Sequence, residues 1–136
     1  YILIDYMQEF ASRMAKAGMI SGDTSYYGLS VRQFRLYRQL LRNPQTGLWS
    51  QGRGWKLDPQ ALSPGAWSRG HGWLLRGLVS TLRYLPKGSA WHREAQGILV
   101  ETIDALLKVQ DSDGMWHQLL DSPFSESTPE SSGTGL

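Results

Sequence analysis

The sequence contains no cysteine and no long apolar run. The lack of cysteine excludes disulfides, thiolate nucleophiles and cysteine-ligated metal sites. Arg, Lys, Asp or Gln interrupts every apolar stretch before 18 residues, so no transmembrane helix is expected. The 14 basic and 12 acidic residues are mixed along the 136-residue chain. This mixture argues against a nucleic-acid-binding protein, which usually carries a clustered basic face.

Several familiar catalytic motifs are also missing. The three histidines, His71, His92 and His117, do not have the spacing of a zinc site, and no HExxH pattern occurs. No GxSxG sequence marks a serine hydrolase. Gly52-Arg53-Gly54 is an isolated GxG without a preceding strand. These patterns therefore give no indication of a zinc site, a phosphate-binding loop or a serine hydrolase.

Tryptophan and glycine, in contrast, are abundant, with six and fifteen residues. Most of the tryptophans are predicted to lie in or beside glycine-rich loops: Trp49, Trp55, Trp67, Trp73 and Trp116. Tryptophans around a cleft stack on flat ligand faces such as sugar rings. The alternative is that they pack into the core. Their position in loops favours ligand binding.

Periodicity predicts four amphipathic helices and no convincing strand. We expect a first helix that ends at Gly18, a second from Asp23 or Thr24 to Asn43, a third from about His71 to Leu85 and a fourth from Ser89 to about Val109. The residues expected on the four inner faces are Leu3, Met7, Phe10 and Met14; Tyr27, Val31, Phe34, Tyr37 and Leu41; Leu74, Leu75, Leu78, Val79 and Leu82; and Leu99, Ile103, Leu106 and Leu107. Short β-ribbons in the loops are compatible with this pattern.

The chain also contains an internal repeat. Residues 46–51, TGLWSQ, resemble residues 113–118, DGMWHQ, and each segment follows a Leu-Leu-basic helix end. Each unit is thus a pair of helices followed by a Gly-X-Trp loop, and such a unit needs neighbours to bury its apolar face. Stacked hairpins form an open solenoid or a closed α/α toroid. In a toroid, the loops of Trp49 and Trp116 are expected at the same end.

The densest cluster of candidate binding residues is WSRGHGW, residues 67–73. Arg69 offers a planar fork for a carboxylate, and Trp67 and Trp73 offer apolar faces for a ring. The glycines allow close ligand approach. This combination suits an acidic sugar. The alternative is a structural loop whose tryptophans fill the core and whose arginine pairs with a nearby acid.

Asp5 is the best candidate for a general acid because it stands among Ile2, Leu3, Ile4 and Tyr6. A carboxyl group in apolar surroundings tends to have a raised pKa, which suits proton donation. The alternative is that Asp5 faces solvent. Two acids of the last loop, Asp121 and Glu130, are weaker candidates.

In combination, these segments resemble the unsaturated rhamnogalacturonyl hydrolases of glycoside hydrolase family 105, which are related to the unsaturated glucuronyl hydrolases of family 88. Residues 67–73 resemble the family motif W-x-R-G-N-G-W, and residues 46–49 resemble its T-G-L-W/Y turn. Residues 114–121, GMWHQLLD, resemble G-L-W-H-Q-x-L-D, and residues 130–134 resemble E-x-S-x-T. The four motifs occur in the family's order over nearly the whole chain.

The resemblance implies an all-α fold, an (α/α)6 barrel of twelve helices. Residues 1–136 would then be a partial six-hairpin glycosidase domain, roughly its middle third, truncated at both ends and incomplete on its own. The implied substrate is an oligosaccharide left by a polysaccharide lyase, with a Δ4,5-unsaturated uronic acid, galacturonyl in type, at its non-reducing end. The enzyme hydrates the C4=C5 double bond and releases the sugar. This implied reaction needs no metal or organic cofactor. The resemblance also favours a cytoplasmic location.

The resemblance assigns roles to individual residues. Asp5 aligns with the catalytic aspartate, although Leu3 replaces the family's tryptophan two positions earlier. Substrate contacts are expected from a second group: Gln51, Trp67, Arg69, His71, Trp73, Trp116 and His117. His71 replaces an asparagine, and Gln51 stands near a histidine of many members. A second functional aspartate would precede Tyr1.

Two other functions are compatible with these residues. One is a glucuronyl hydrolase that acts on other lyase products. The other is a non-catalytic helical module that binds carbohydrate or serves as a scaffold. The position of Asp5 discriminates between an enzyme and a binding module, because only the enzyme needs Asp5 in the cleft beside Arg69 and Trp73.

Overall fold

The computed structural model describes residues 1–136, except for the side chain of Trp55, one of the tryptophans predicted to line a cleft. The helices are α1 (Phe10–Ser21), α2 (Ser25–Leu41), α3 (Ser68–Leu82), α4 (Ala90–Leu107) and α5 (Ser131–Thr134), with 3-10 segments at Ile4–Gln8, Trp55–Leu57 and Phe124–Glu126. A two-residue ribbon pairs β1 (Ile2–Leu3) antiparallel with β2 (Gly52–Arg53). The prediction of a helical chain with short ribbons is confirmed. No helix among the described residues is long and apolar enough to span a membrane.

The first predicted helix is divided into three elements. Strand β1 and the 3-10 segment Ile4–Gln8 precede α1, which ends at Gly22 with φ 74°. The prediction that Gly18 ends the helix is therefore wrong. Gly18 lies within α1, where an added Cβ would be 2.9 Å from the ring of Tyr27. This glycine serves the close packing of α1 on α2 rather than a turn.

The limits of α2 and α4 follow the predicted caps. Asp23 Oδ1 accepts a hydrogen bond from Ser25 N at 2.9 Å, and Ser89 Oγ accepts one from His92 N at 3.1 Å. The predicted inner face of α4 was wrong in part, because Leu107 is 56% exposed. The residues that α4 buries include smaller ones: Ala95, Ile98, Thr102, Ala105 and Leu106. Small side chains let α4 approach its neighbours closely, which a count of large apolar residues does not reveal.

Helix α3 begins at Ser68, three residues before the predicted start. The segment WSRGHGW is therefore the first two turns of a helix, with Trp67 as its N-cap, and not a loop. The glycines misled the prediction because glycine is unfavourable within helices. Here close packing requires them: a Cβ at Gly77 would be 2.8 Å from the carbonyl carbon of Met7. Because α3 lies against the 3-10 segment Ile4–Gln8, the two predicted site segments meet.

Helices α2 and α4 run parallel on one side of the array. Arg35 pairs with Glu94 at 2.7 Å, and Arg38 pairs with Glu101 at 2.9 Å, so residue numbers rise together along both helices. The carboxyl ends of the two helices are thus at the same end of the protein. These pairs are partly exposed and contribute little stability, but they define the register.

The two Gly-X-Trp loops follow these parallel ends and have matching backbones. Gly47 and Gly114 both have φ 80°. Asn43 Oδ1 accepts from the backbone N–H two residues later, and Asp111 Oδ1 does the same. The predicted repeat is confirmed in both loop conformation and placement. Each loop leads towards the start of the next helix, α3 or α5.

Candidate active site

The 3-10 segment Ile4–Gln8 holds Asp5 at the edge of the core. Ile4 and Met7 are each 1% exposed and anchor the segment, while Asp5 is only partly buried. The ribbon β1–β2 brings the loop after α2 beside this segment, and Ile4 N donates to Gln51 O at 2.9 Å. The Gln51 side-chain Nε2 donates to Asp5 Oδ2. Pairing of β1 with β2 therefore places a candidate acid next to a neutral amide.

The pKa of Asp5 lies above its ordinary value. Burial is the largest cause, because it disfavours the charged carboxylate. A backbone hydrogen bond, the amide of Gln51 and the positive charge of Arg69 oppose the increase in this order. A carboxyl group that keeps its proton more readily than usual can act as a general acid. Arg69 is thus close enough for its charge to act on Asp5.

Gln51 lies against the first turn of α3 at Gly70. A Cβ at Gly70 would be 2.6 Å from Gln51 Oε1 and 2.8 Å from Ile4. Only glycine leaves room for the amide at this helical position. Gln51 Oε1 is buried without a hydrogen-bond partner among the described residues. The atom is enclosed at the contact between this loop and α3 and does not face solvent.

Arg69 extends from the first turn of α3 over Trp67. Its guanidinium carbon lies 4.5 Å from the Trp67 ring centroid, a cation–π contact. Trp67 and Trp73 meet edge to face with centroids 5.7 Å apart and an interplanar angle of 89°. The Arg69 side chain is 40% exposed. The cluster thus presents a held but accessible cation beside an aromatic pair.

Glu130, which the sequence offered only as a weaker candidate acid, lies beside Arg69 in this cluster. Its Oε1 lies 3.4 Å from Arg69 Nη2 and accepts from Ser132 Oγ, and its Oε2 accepts from Gly133 N at 2.6 Å as the N-cap of α5. Burial tends to raise the pKa of Glu130, but the bonds from Ser132 and Gly133 and the charge of Arg69 outweigh it and lower the pKa. Glu130 is therefore ionised. The usual S/T-x-x-E capping pattern does not identify Glu130, because the glutamate is itself the N-cap of α5.

His71 is placed differently from the prediction of a direct substrate contact. It is 1% exposed, with Nδ1 2.9 Å from Trp67 O and Nε2 2.9 Å from Trp49 N. Burial is the main reason that its pKa falls to about 4. Both ring nitrogens are used within the protein, and neither is available to a ligand in this arrangement.

The side chains of Trp116 and His117 bond groups outside the Asp5 cluster. Trp116 Nε1 donates to Leu106 O at 2.8 Å, and its ring packs against the smaller of the two apolar cores. His117 is 7% exposed, with Nδ1 2.6 Å from Ser127 O and Nε2 3.0 Å from Asp111. The backbone of this loop adjoins the cluster, because Trp116 O accepts from Glu130 N at 2.9 Å.

The geometry suits a small anionic ring. A protonatable carboxyl, an accessible guanidinium and two tryptophans lie in one region of the protein. A groove of about 300 Å³ opens beside Asp5 along Tyr6, Gln8, Glu9, Phe10 and Arg13, and the cation and the tryptophans lie outside its lining. Among the described side chains, no group of three His, Asp or Glu could hold a metal ion. The chemistry that these residues themselves can perform is proton transfer next to a bound carboxylate.

Comparison with known proteins identifies the family and the fold of this chain. Residues 4–136 match the model of Glycosyl Hydrolase Family 88. A family 105 glycoside hydrolase from C. acetobutylicum is 28% identical with a TM-score of 0.86, over 98% of this chain and 39% of that chain. A possible family 105 member from Klebsiella pneumoniae is 31% identical with a TM-score of 0.80, over 97% of this chain and 34% of that chain.

A more distant match supports the fold. The unsaturated glucuronyl hydrolase of Bacillus sp. GL1 is 20% identical with a TM-score of 0.69, over 97% of this chain and 36% of that chain. No curated protein sequence matches significantly. The chain thus spans between about a third and two fifths of these solved structures. Its hairpins match part of the (α/α)6 barrel of these enzymes, as predicted. Because the family model covers almost the whole sequence, the chain belongs to glycosyl hydrolase family 88.

Proposed function

We propose that the protein carrying this chain is a glycoside hydrolase that removes a Δ4,5-unsaturated uronic acid from the non-reducing end of oligosaccharides produced by a lyase. The observation that carries the proposal is the placement of Asp5, which is held by Gln51 against the first turn of α3, the turn that carries Arg69. Burial also raises the pKa of Asp5. An acid that retains its proton and a cation that can hold a uronate are what hydration of this double bond needs. No cofactor takes part in the proposed reaction.

In the proposed reaction, Asp5 gives its proton to C4 of the C4=C5 enol ether. The positive charge that develops at C5 is shared with the ring oxygen, and water adds at C5 while the Asp5 carboxylate takes a proton from it. The resulting hemiketal opens between C5 and the ring oxygen, which leaves a ketone at C5 and a hemiacetal at C1. The hemiacetal then releases the aglycone as an alcohol. One water is consumed, and Asp5 ends protonated as it began.

The other residues of the cluster bind and orient the substrate in this proposal. Arg69 makes a charge-assisted contact to the C5 carboxylate, and Trp67 and Trp73 support the sugar ring. Gln51 Nε2 donates to one carboxyl oxygen of Asp5 and so orients it. Trp116 and His117 support the neighbouring loop rather than the substrate.

Asp5→Asn in the complete protein tests the proposal. The amide keeps the shape but cannot deliver a proton, so turnover should fall by at least about 10²–10⁴-fold while substrate binding persists. The assay is the loss of the ultraviolet absorbance of the C4=C5 bond. Near-normal turnover of Asp5→Asn would exclude Asp5 as the acid. Binding without turnover by the wild-type protein would support the carbohydrate-binding module instead.

We further propose a rhamnogalacturonan-derived, galacturonyl-terminated substrate, as the W-x-R-G-x-G-W resemblance implies. The competing substrate class comes from glycosaminoglycans, which the Bacillus enzyme degrades. A panel of unsaturated disaccharides made by rhamnogalacturonan, pectate and glycosaminoglycan lyases distinguishes them by kcat/KM. Higher kcat/KM on the glycosaminoglycan products would reject the galacturonyl assignment. A cytoplasmic location is likewise a proposal from the resemblance, and cell fractionation tests it.

A further inference from the structure

The candidate site has two halves that lie on separate parts of the chain. One half is Asp5 with Gln51, which follows the repeat loop of Trp49. The other is Arg69 with Trp67, at the start of α3. The catalytic geometry requires both halves to keep a fixed separation, because a misplacement on the order of 1 Å can cost about 10²-fold in rate.

The side chain of His71 connects these two halves directly. Its Nε2 accepts a hydrogen bond from Trp49 N at 2.9 Å, two residues before Gln51. Its Nδ1 bonds Trp67 O at 2.9 Å, two residues before Arg69. A backbone carbonyl only accepts and a backbone N–H only donates, so the ring must carry its proton on Nδ1 and leave Nε2 bare.

The remaining contacts of the repeat loop transmit this position to Asp5. Ser50 N donates to Leu41 O at 2.9 Å, and Gln51 O accepts from Ile4 N at 2.9 Å. Trp49 itself is 1% exposed and cannot shift without disturbing the core. On the other side, Trp67 carries the Arg69 guanidinium on its ring at 4.5 Å.

We propose that His71 is a positioning residue that sets the distance between the acid half and the carboxylate-binding half of the site through its two ring nitrogens. This inference rests on the proposed function for its catalytic consequence. It replaces the initial expectation that His71 contacts substrate. The neutral imidazole suits this role because it provides one donor and one acceptor on a rigid ring.

Two conservative variants separate the two hydrogen bonds. The amide of His71→Asn reaches the place of Nδ1, so it can donate to Trp67 O but leaves Trp49 N without its acceptor. The amide of His71→Gln reaches the place of Nε2, so it can accept from Trp49 N but loses the 2.9 Å side-chain bond to Trp67 O, which keeps only the longer bond from the backbone N–H of residue 71 at 3.4 Å. Each variant disturbs one half and preserves the other, and His71→Leu removes both bonds.

The expected result is a split in the kinetic constants of the complete protein. His71→Asn should lower kcat about tenfold with little change in KM, because it loosens Gln51 and Asp5. His71→Gln should raise KM about tenfold with a smaller effect on kcat, because it loosens Trp67 and Arg69. His71→Leu should show both effects. His92→Asn and His92→Gln on α4, outside the site, are the matched controls and should resemble wild type.

Two results would overturn the proposal. One is kinetic constants of all His71 variants that match the His92 controls. The other is that His71→Asn and His71→Gln both lose kcat and apparent affinity to the same extent, in proportion to their lowered melting temperatures. That result would indicate that His71 has only a structural role.

A second measurement separates this inference from the proposed function. Nitrogen NMR of the protein with ¹⁵N-labelled histidine, assigned by comparison with His71→Gln, should show a neutral His71 ring with the proton on Nδ1. A proton on Nε2 would remove the bond to Trp49 and reject the connection, whatever the substrate. If the ring state is as expected but wild type does not convert any unsaturated uronide, the function fails while the connection stands.

Discussion

Gly77→Ala is expected to inactivate the protein from a position that touches no substrate. A Cβ at residue 77 would lie 2.8 Å from the carbonyl carbon of Met7 and nearer still to its oxygen, whereas real Cβ atoms essentially never approach within 3.0 Å. The obstacle is backbone and not the end of a flexible side chain. The 3-10 segment Ile4–Gln8 must therefore shift on the ångström scale, and Asp5 lies in that segment.

The magnitudes follow from this displacement. Overpacking in a well-packed region costs about 1–3 kcal/mol of unfolding free energy. Misplacing the acid by roughly 1 Å should lower kcat by about 10²-fold. Denaturant unfolding and the ultraviolet assay measure the two effects on the same preparation of the complete protein.

Gly97→Ala is the matched control. Gly97 is also inside a helix, but a Cβ there meets no described atom within 4 Å. This variant should gain up to about 1 kcal/mol from helix propensity and keep its activity. The reasoning would be refuted if Gly77→Ala kept wild-type kcat, or if both variants lost activity to the same extent.

Three further predictions concern charge and protonation. Gln51→Leu removes an amide that lowers the pKa of Asp5. Because the proposed reaction uses Asp5 in its protonated form, the basic limb of the kcat/KM–pH profile should move to higher pH, and a move to lower pH would contradict this role. Arg69→Ala removes the proposed contact to the uronate carboxylate, worth roughly 1.5–3 kcal/mol, and should mainly raise KM. Arg69→Lys keeps the charge and should raise KM less, and an equal increase in both variants would argue against a uronate contact. The pKa of His71 falls from 6.5 to about 4 on folding, so only the unfolded state takes up the proton between these values. The unfolding free energy is therefore highest above pH 6.5 and falls by about 3 kcal/mol in total as the pH falls towards 4. Denaturant unfolding of wild type and His71→Gln at several pH values should show this loss in wild type alone.

The sequence was most informative where local chemistry decides the structure. Asp23 and Ser89 lie at the starts of α2 and α4, where one of them or its neighbour was predicted as a cap, because a side-chain oxygen there satisfies a free backbone N–H of the first turn. The matching backbones of the Gly47 and Gly114 loops follow from a repeat visible in the residues. Glycines inside helices were interpreted poorly, since α3 starts at Ser68 and contains the glycine-rich segment. A glycine required by a neighbouring element looks the same in sequence as one required by a turn.

By itself, the sequence determined the helical class and the repeat and offered candidate residues for acid chemistry, because periodicity, capping and side-chain type are local properties. Tertiary structure alone decided which of these residues meet. The ribbon β1–β2 brings Gln51 to Asp5, and the packing of α5 on α3 brings Glu130 to Arg69. It also turned His71 from an expected ligand contact into a buried connection between two loops, since both hydrogen-bond partners are backbone groups that no sequence pattern identifies.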